Sequence, residues 1–364
     1  MLLILLQYWG LLGVWNVFYI RLIGIGLTIP LFFLFFGPKI IQILHSLKVG
    51  QTIRVEDCPP LARLHEKKKS VPTMGGILIL GSVIITAFLW MDIRQPLFWL
   101  LIGETVGFGL LGFCDDYLKM KKRNSKGLGA WKKFSAQVFL SLVAVFYLFW
   151  VSKPEEGFTH FSLNYGIPFV NKGFVLKGII GLGFALLFSL FVIVGSSNAV
   201  NLTDGLDGLA AGTLFLAFTV LSIGAFYGET NFFYNLIGAK EIGLYLLAQA
   251  LACLAFLWFN SYPAQIFMGD TGSLALGGML GICAVFLRKE FLLALVGAIF
   301  VVEALSVILQ VLNFKIRKGK RIFLCAPLHH HFEYKGISEP KIVVRFWLLG
   351  LALGLLGIIS LIEG

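Results

Sequence analysis

Apolar runs of about 20 residues recur along the whole chain, separated by short polar stretches. They place helices at about 17–37, 74–91, 97–114, 134–151, 178–198, 208–227, 243–260, 272–287, 291–314 and 343–362. A helix of about 20 apolar residues crosses the hydrocarbon core of a bilayer. The pattern therefore predicts an all-α polytopic membrane protein with about ten transmembrane helices, read as one integral-membrane domain over 1–364. Residues 1–15 read as a short interfacial or periplasmic lead-in rather than an eleventh span. Between 161 and 175 apolar residues alternate around Asn164-Tyr165-Gly166, the pattern of a small periplasmic hairpin. No inverted repeat of the transporter type is visible.

Composition agrees with that reading. The chain is 58% hydrophobic and 13% charged, about half the charged share of a soluble domain. The net charge of +11 does not point to nucleic acid, because the basic residues are confined to a few loops. Residues 38–71, 115–133 and 315–345 carry 7, 7 and 8 of the 30 Lys and Arg. The intervening loops on the other side carry 7 together. Basic loops stay in the cytoplasm. With an even helix count, both termini are expected on the periplasmic side. Residues 1–14 lack a basic n-region, so no cleaved signal peptide is expected. The five cysteines show no paired spacing, so neither a disulfide framework nor a zinc site is expected.

Against this apolar background, a few polar stretches stand out, all on the side assigned to the cytoplasm. The first is Asn198-Ala-Val-Asn201-Leu-Thr-Asp204-Gly-Leu-Asp207-Gly208, with no Lys or Arg between Lys177 and Lys240. Carboxylates at a membrane edge without a local cation hold a metal or a polar ligand, or else are simply solvated in a loop. On a helix Asp204 and Asp207 would share a face. The second is Asp115-Asp116, at the end of the third span. Adjacent carboxylates repel, and a helix C-terminus disfavours anions, unless a cation or proton is shared or nearby lysines screen them. The third runs from Asn260 to Ser273 and sets Asp270 between glycines, with Phe267 placed to stack on a base or to pack at the interface. The fourth, Pro327-Leu-His329-His330-His331-Phe-Glu333, holds half the histidines of the chain. Three consecutive histidines cannot all face one point on a helix, so they suit phosphate contacts or proton transfer better than a zinc triad.

Basic and small residues flank these stretches. Lys67–Lys69 can bind anionic headgroups, and Thr73 with Gly75-Gly76 opens a helix that can meet a phosphate. Lys132 and Lys133 open the fourth span. Glu303, deep in an apolar run, must pair internally or line a cavity. Carboxylates for a cation, with lysines and histidines for a diphosphate, are the equipment of phosphoryl transfer. A cation or lipid transporter is the rival reading, but it would place its acidic residues at mid-span rather than at the edge.

Five motifs carry a resemblance. Pro72-Thr-Met-Gly-Gly76, Gly112-Phe-Cys-Asp-Asp-Tyr117, Asn198–Leu209, Phe267-Met-Gly-Asp270 and Pro327–Glu333, taken in order, resemble the phospho-N-acetylmuramoyl-pentapeptide transferase family. Leu328 departs from the Phe usual there, and Cys114 precedes the aspartate pair. The resemblance implies ten spans in the bacterial inner membrane, a cleft facing the cytoplasm, Mg²⁺ and a homodimer. It implies transfer of phospho-MurNAc-pentapeptide from UDP-MurNAc-pentapeptide to undecaprenyl phosphate, giving lipid I and UMP. By the same resemblance Asp115, Asp116, Asp270, His329 and His330 would be catalytic, with Asp115 as base. Asp270, Asp204 and Asp115 would hold the metal. Lys68 and Lys133 would contact phosphates, Asp207 and Phe267 uracil, and His331 the diphosphate. Thr73, Asn198, Asn201 and Asn260 would complete substrate binding.

Overall fold

The computed structural model describes residues 17–47, 68, 70–122, 127–151, 162–227, 238–317 and 319–363. Its helices are α1 (Val17–Ser46), α2 (Gly76–Trp90), α3 (Pro96–Lys122), α4 (Ala130–Val151), α5 (Gly178–Thr203) and α6 (Leu209–Tyr227). They continue with α7 (Ala239–Asn260), α8 (Gly269–Phe286), α9 (Glu290–Val296), α10 (Ala298–Ile316), α11 (Leu328–Tyr334) and α12 (Glu339–Glu363). One antiparallel hairpin, β1 (Ser162–Ile167) and β2 (Val170–Lys177), precedes α5.

Among the described residues, nine helices are long and apolar enough to cross a bilayer, and α2 is a tenth apolar helix of 15 residues. Each answers one of the ten predicted runs. At about 1.5 Å per residue α2 spans roughly 22 Å, short of a bilayer core of about 30 Å. The run at 291–314 is broken at Gly297 into α9 and α10. The third span does not stop at 114 but continues to Lys122, so Asp115 and Asp116 lie within it. The short α11 was not foreseen, being shorter than any periodic signal can register. One expectation fails: Cys325 is disulfide-bonded, whereas Cys114, Cys253 and Cys283 are free. Sequence spacing gave no signal of it.

The predicted hairpin forms, with register Ser162↔Lys177 through Ile167↔Val170 and an irregularity at Gly166. Tyr165 is fully buried and stacks on Phe174 at 5.1 Å. The hairpin leads directly into α5, so it and the Asn198–Asp207 stretch stand at opposite ends of that helix.

The axis of the bundle is α8. Every residue from Thr271 to Phe286 is buried, whereas α4, α5, α10 and α12 present broad apolar faces outward. Phe139, Phe146, Trp150, Ile180 and Phe191 are among the large exposed side chains, as a lipid-facing perimeter requires. Small residues let the backbones of α8 and its neighbours meet. A Cβ on Gly277 would stand 2.6 Å from the carbonyl of Ser196 in α5, and one on Gly112 in α3 would stand 2.1 Å from the carbonyl of Asp270. Such small-residue contacts replace the hydrophobic drive that lipid cannot supply. Buried hydrogen bonds add to them: Gln137 Nε2 donates to Ser197 Oγ at 3.1 Å, and that hydroxyl donates to the Leu274 carbonyl at 2.9 Å.

Gly277→Leu is expected to overpack the α5–α8 contact at about 1–3 kcal/mol. A lowered melting temperature of the detergent-solubilised protein checks this. An unchanged one would contradict the close approach.

Candidate active site

One end of the bundle gathers the C-terminal turns of α3 and α5, the first turns of α4, α8 and α12, the turn 204–208 and the loop 261–268. Most of the polar stretches singled out above meet there.

The first turn of α8 is docked against α3. Asp116 accepts the main-chain N–H of Thr271 at 2.9 Å, its hydroxyl at 2.8 Å and the N–H of Asp270 at 3.2 Å. No residue of α8 caps its own N-terminus, so Asp116 supplies the cap from another helix. Asp115, one residue earlier, accepts the N–H of Leu128 at 2.7 Å and pairs with Lys119 at 2.6 Å. Asp270 receives Asn201 Nδ2 at 2.8 Å on one oxygen, and Lys133 and Lys119 at 2.8 and 3.0 Å on the other. Asn201 Nδ2 also donates to Ser273 Oγ at 2.8 Å. The Lys119 ammonium therefore lies between the carboxylates of Asp115 and Asp270 and offsets their mutual repulsion.

Asp204 closes α5 beside this group. Burial, and then the charges of Asp270 and Asp116, push its carboxyl up from 3.8 to about 7. Thr73 is placed by the chain reversal before α2. Phe267 N–H donates to the Pro72 carbonyl at 2.8 Å, and Gly75 N–H donates back to the Phe267 carbonyl at 2.8 Å. Gly269, at φ 72°, sits where a Cβ would be 2.7 Å from Thr73 Oγ1 and 2.8 Å from Asp116 Oδ2.

A second group adjoins the first. Lys68 Nζ donates to Asp207 at 2.6 Å and to Glu339 at 2.5 Å, and lies 5.9 Å from the centre of the Phe267 ring. Burial opposes the charge on Lys68, but Glu339 and Asp207 outweigh it and hold the ammonium above its usual pKa. Asp207 further accepts the N–H of Ala264 at 3.0 Å and donates its own N–H to Glu339 at 2.7 Å.

Asn260 is buried and serves the scaffold. Its amide accepts the Gly208 N–H at 3.1 Å and donates to the Ile266 carbonyl at 2.9 Å, joining the two loops. Asn198 faces the helix interior, donating to Gln137 at 3.0 Å and to the Val194 carbonyl at 2.9 Å. The structure does not bring either side chain to the aspartates through a hydrogen bond.

The three histidines diverge, as consecutive residues on a helix must. His329 is fully buried against Glu303. His330 pairs with Glu333 at 2.7 Å, and its ring lies 4.2 Å from that of His329. His331 accepts the Leu324 N–H at 3.1 Å, which ties it to the preceding loop instead.

Sequence reasoning missed Glu339 and Thr271 and saw Lys119 only as a screening charge. Its four-residue spacing from Asp115 on one helix was the available signal for Lys119. Nothing local distinguished Glu339 at the head of the last span. Glu104 was also passed over: it is a carboxyl buried within α3, so acidic residues are not confined to the edge. Lys67 and Lys69 lie outside the described residues. Among the described residues no group of three or more His, Cys, Asp or Glu side chains is arranged as a ready metal site.

Two outcomes follow from this geometry. Asp116→Ala uncaps α8 and is expected to lower stability by about 1–2 kcal/mol, read as melting temperature; Asp115→Ala, which caps nothing, is expected to lower it less. Asp204 is favoured in its protonated form by the fold, so its contribution is fully present below 3.8 and lost as pH rises through about 7. In chelator the wild-type melting temperature should fall across that range, and Asp204→Asn should remove that part of the fall. Parallel profiles would contradict the assignment.

Comparison with known proteins bears on what this end of the molecule does. Residues 98–288 match Glycosyl transferase family 4. The chain is 46% identical to the phospho-N-acetylmuramoyl-pentapeptide-transferase of Protochlamydia amoebophila, over 96% of this chain and 95% of the relative. It is 46% identical to that of Desulfotalea psychrophila, over 95% of each chain. The counterpart in Francisella philomiragia is 42% identical, over 94% of this chain and 93% of the relative.

Proposed function

The chain belongs to the phospho-N-acetylmuramoyl-pentapeptide transferase family, and from that premise we propose how its polar cleft performs the transfer. It is a multi-pass membrane transferase of peptidoglycan synthesis, acting on a nucleotide-linked sugar-peptide and a lipid. The donor is UDP-MurNAc-pentapeptide and the acceptor undecaprenyl phosphate. The cleft faces the cytoplasm and both termini the periplasm, because the loops richest in Lys and Arg flank the cleft. The membrane is the bacterial inner membrane, and the protein is a homodimer.

The observation that carries the reading is the meeting of Asp115 and Asp270 on Lys119, with Lys133 also on Asp270. Asp115 and Asp270, with Asp204 beside them, offer the hard carboxylate oxygens that Mg²⁺ takes, and would have to converge on the ion to hold it. Asp270, with Asp204 and Asp115, would hold the ion. When bound, Mg²⁺ neutralises charge on the diphosphate. Lys133 and Lys119 are placed to meet phosphate oxygens once freed from Asp270, and Lys68 is placed likewise beside Asp207. Asp207 and Phe267 receive the uracil. Asp115 takes the proton from the lipid phosphate, whose oxygen attacks the sugar-linked phosphorus of the donor. The bond from that phosphorus to the bridging oxygen breaks, and UMP leaves with the electron pair. Asp116 keeps the first turn of α8, and with it Asp270, in register during attack.

Purified protein with both substrates and Mg²⁺ is expected to release UMP only when lipid is present. Asp115→Asn and Asp270→Asn are expected to lose about 10²–10⁴-fold in rate. UMP release without lipid would replace direct attack by a covalent intermediate or hydrolysis. No UMP from folded protein would refute the reading.

A further inference from the structure

Glu303 and His329 are both fully buried, and neither belongs to the aspartate cluster. A carboxyl on an apolar helix such as α10 needs a partner. His329 faces it with its main chain and with its ring. Its main-chain N–H donates to one carboxylate oxygen of Glu303 at 3.1 Å, and its ring Nδ1 stands 3.2 Å from the other. The opposite ring nitrogen, Nε2, is aimed at Gly205, where a Cβ would lie only 2.2 Å away. Neither ring nitrogen makes a hydrogen bond of good geometry and neither is exposed; Nδ1 has the Glu303 carboxylate at 3.2 Å as its neighbour, whereas Nε2 faces only the Gly205 backbone. Gly205 directly follows Asp204, whose carboxyl feels the charges of Asp270 and Asp116. The imidazole thus bridges a carboxylate on α10 and the turn that bears one of the cleft aspartates.

A histidine's two nitrogens are distinguished by what each one meets. A carboxylate at Nδ1 holds the proton there and leaves Nε2 to accept. A buried ring nitrogen without a partner is unfavourable unless a ligand completes it. We propose that Glu303 is a positioning residue for the transfer: it holds the His329 ring with Nδ1–H toward its carboxylate and Nε2 toward a substrate group arriving at the Asp204–Gly205 turn. The proposal rests on the reading of the cleft as the transfer site. The competing role is a structural one, in which Glu303 merely anchors the main chain at the start of α11. A glutamine can serve that second role, since its carbonyl also accepts the His329 main-chain N–H.

The test compares Glu303→Gln, His329→Ala, the double variant and Gly205→Ala. Each is read for melting temperature, kcat and KM in the lipid-dependent UMP assay, and the wild type and Glu303→Gln also by NMR of ¹⁵N-labelled histidine. Glu303→Gln is expected to keep its melting temperature and KM and to lose roughly 100-fold in kcat. The double variant should fall no further than His329→Ala alone, because both changes remove one device. The resonance lost in His329→Ala should report a proton on Nδ1 and none on Nε2 in the wild type, and a changed proton distribution in Glu303→Gln. If Glu303→Gln does not fold, Gly205→Ala carries the test: its methyl displaces the ring at the other end, and the same loss of kcat at unchanged KM is expected. Wild-type kcat in whichever variant folds, multiplicative losses in the double variant, or a wild-type ring protonated only on Nε2 would overturn the proposal. The NMR result does not depend on turnover. A ring protonated at Nδ1 in a wild-type protein that forms no UMP would therefore place the failure in the reading of the cleft and not in the dyad.

Discussion

The cap that Asp116 places on α8 is the contact on which the rest of the cleft depends. A helix N-terminus leaves main-chain N–H groups without partners, and its dipole favours a negative charge. Asp116 belongs to the C-terminal part of α3, where a carboxylate in isolation would be unfavourable. Setting it against the start of α8 converts that liability into an attachment between two helices. Because α8 is the buried axis of the bundle, fixing its first turn fixes Asp270 against Asp115, Asn201 and the two lysines. The missing side chain at Gly112 permits this approach, since any Cβ there would strike the Asp270 carbonyl.

Around that anchor the cleft divides its charges between two neighbouring groups. In one, Asp115, Asp204 and Asp270 oppose Lys119 and Lys133; in the other, Asp207 and Glu339 oppose Lys68. Neither group is closed in the way a purely structural ion pair is closed. Asp115 and Asp270 share the ammonium of Lys119, and Asp204 is buried where the charges of Asp270 and Asp116 reach it. Asn260 ties the 208 turn to the 266 loop, beside both groups.

The residues proposed to carry the chemistry are legible in the sequence because the membrane makes them conspicuous. In a chain that is 58% hydrophobic, Asp115, Asp204, Asp207 and Asp270 stand out at the ends of apolar runs, where a charge without a purpose is disfavoured. Glu339 escaped notice because the loop before the last span is already rich in charge, so one more carboxylate carries no signal. Glu104 is as solitary within its apolar run as Glu303, so the same signal was available for it. Asn198 and Asn260 were read with the site because they share its motifs, whereas their side chains face the scaffold. The same ambiguity covers Asp116, whose neighbour Asp115 has no part in capping α8.

The sequence by itself determined the apolar helices, the hairpin before α5 and the gathering of most polar motifs at one end of the bundle, because each follows from local hydrophobicity and alternation. Only the tertiary structure decided which of those motifs meet. Asp116 finds its partners at 270 and 271, Lys68 at 207 and 339, and Glu303 at 329, separations that no local pattern encodes. Helices of similar apolarity can pack in many orders. What selects one order is the set of glycines that let backbones touch and the few buried polar groups that must be satisfied, and both act only once the helices are side by side.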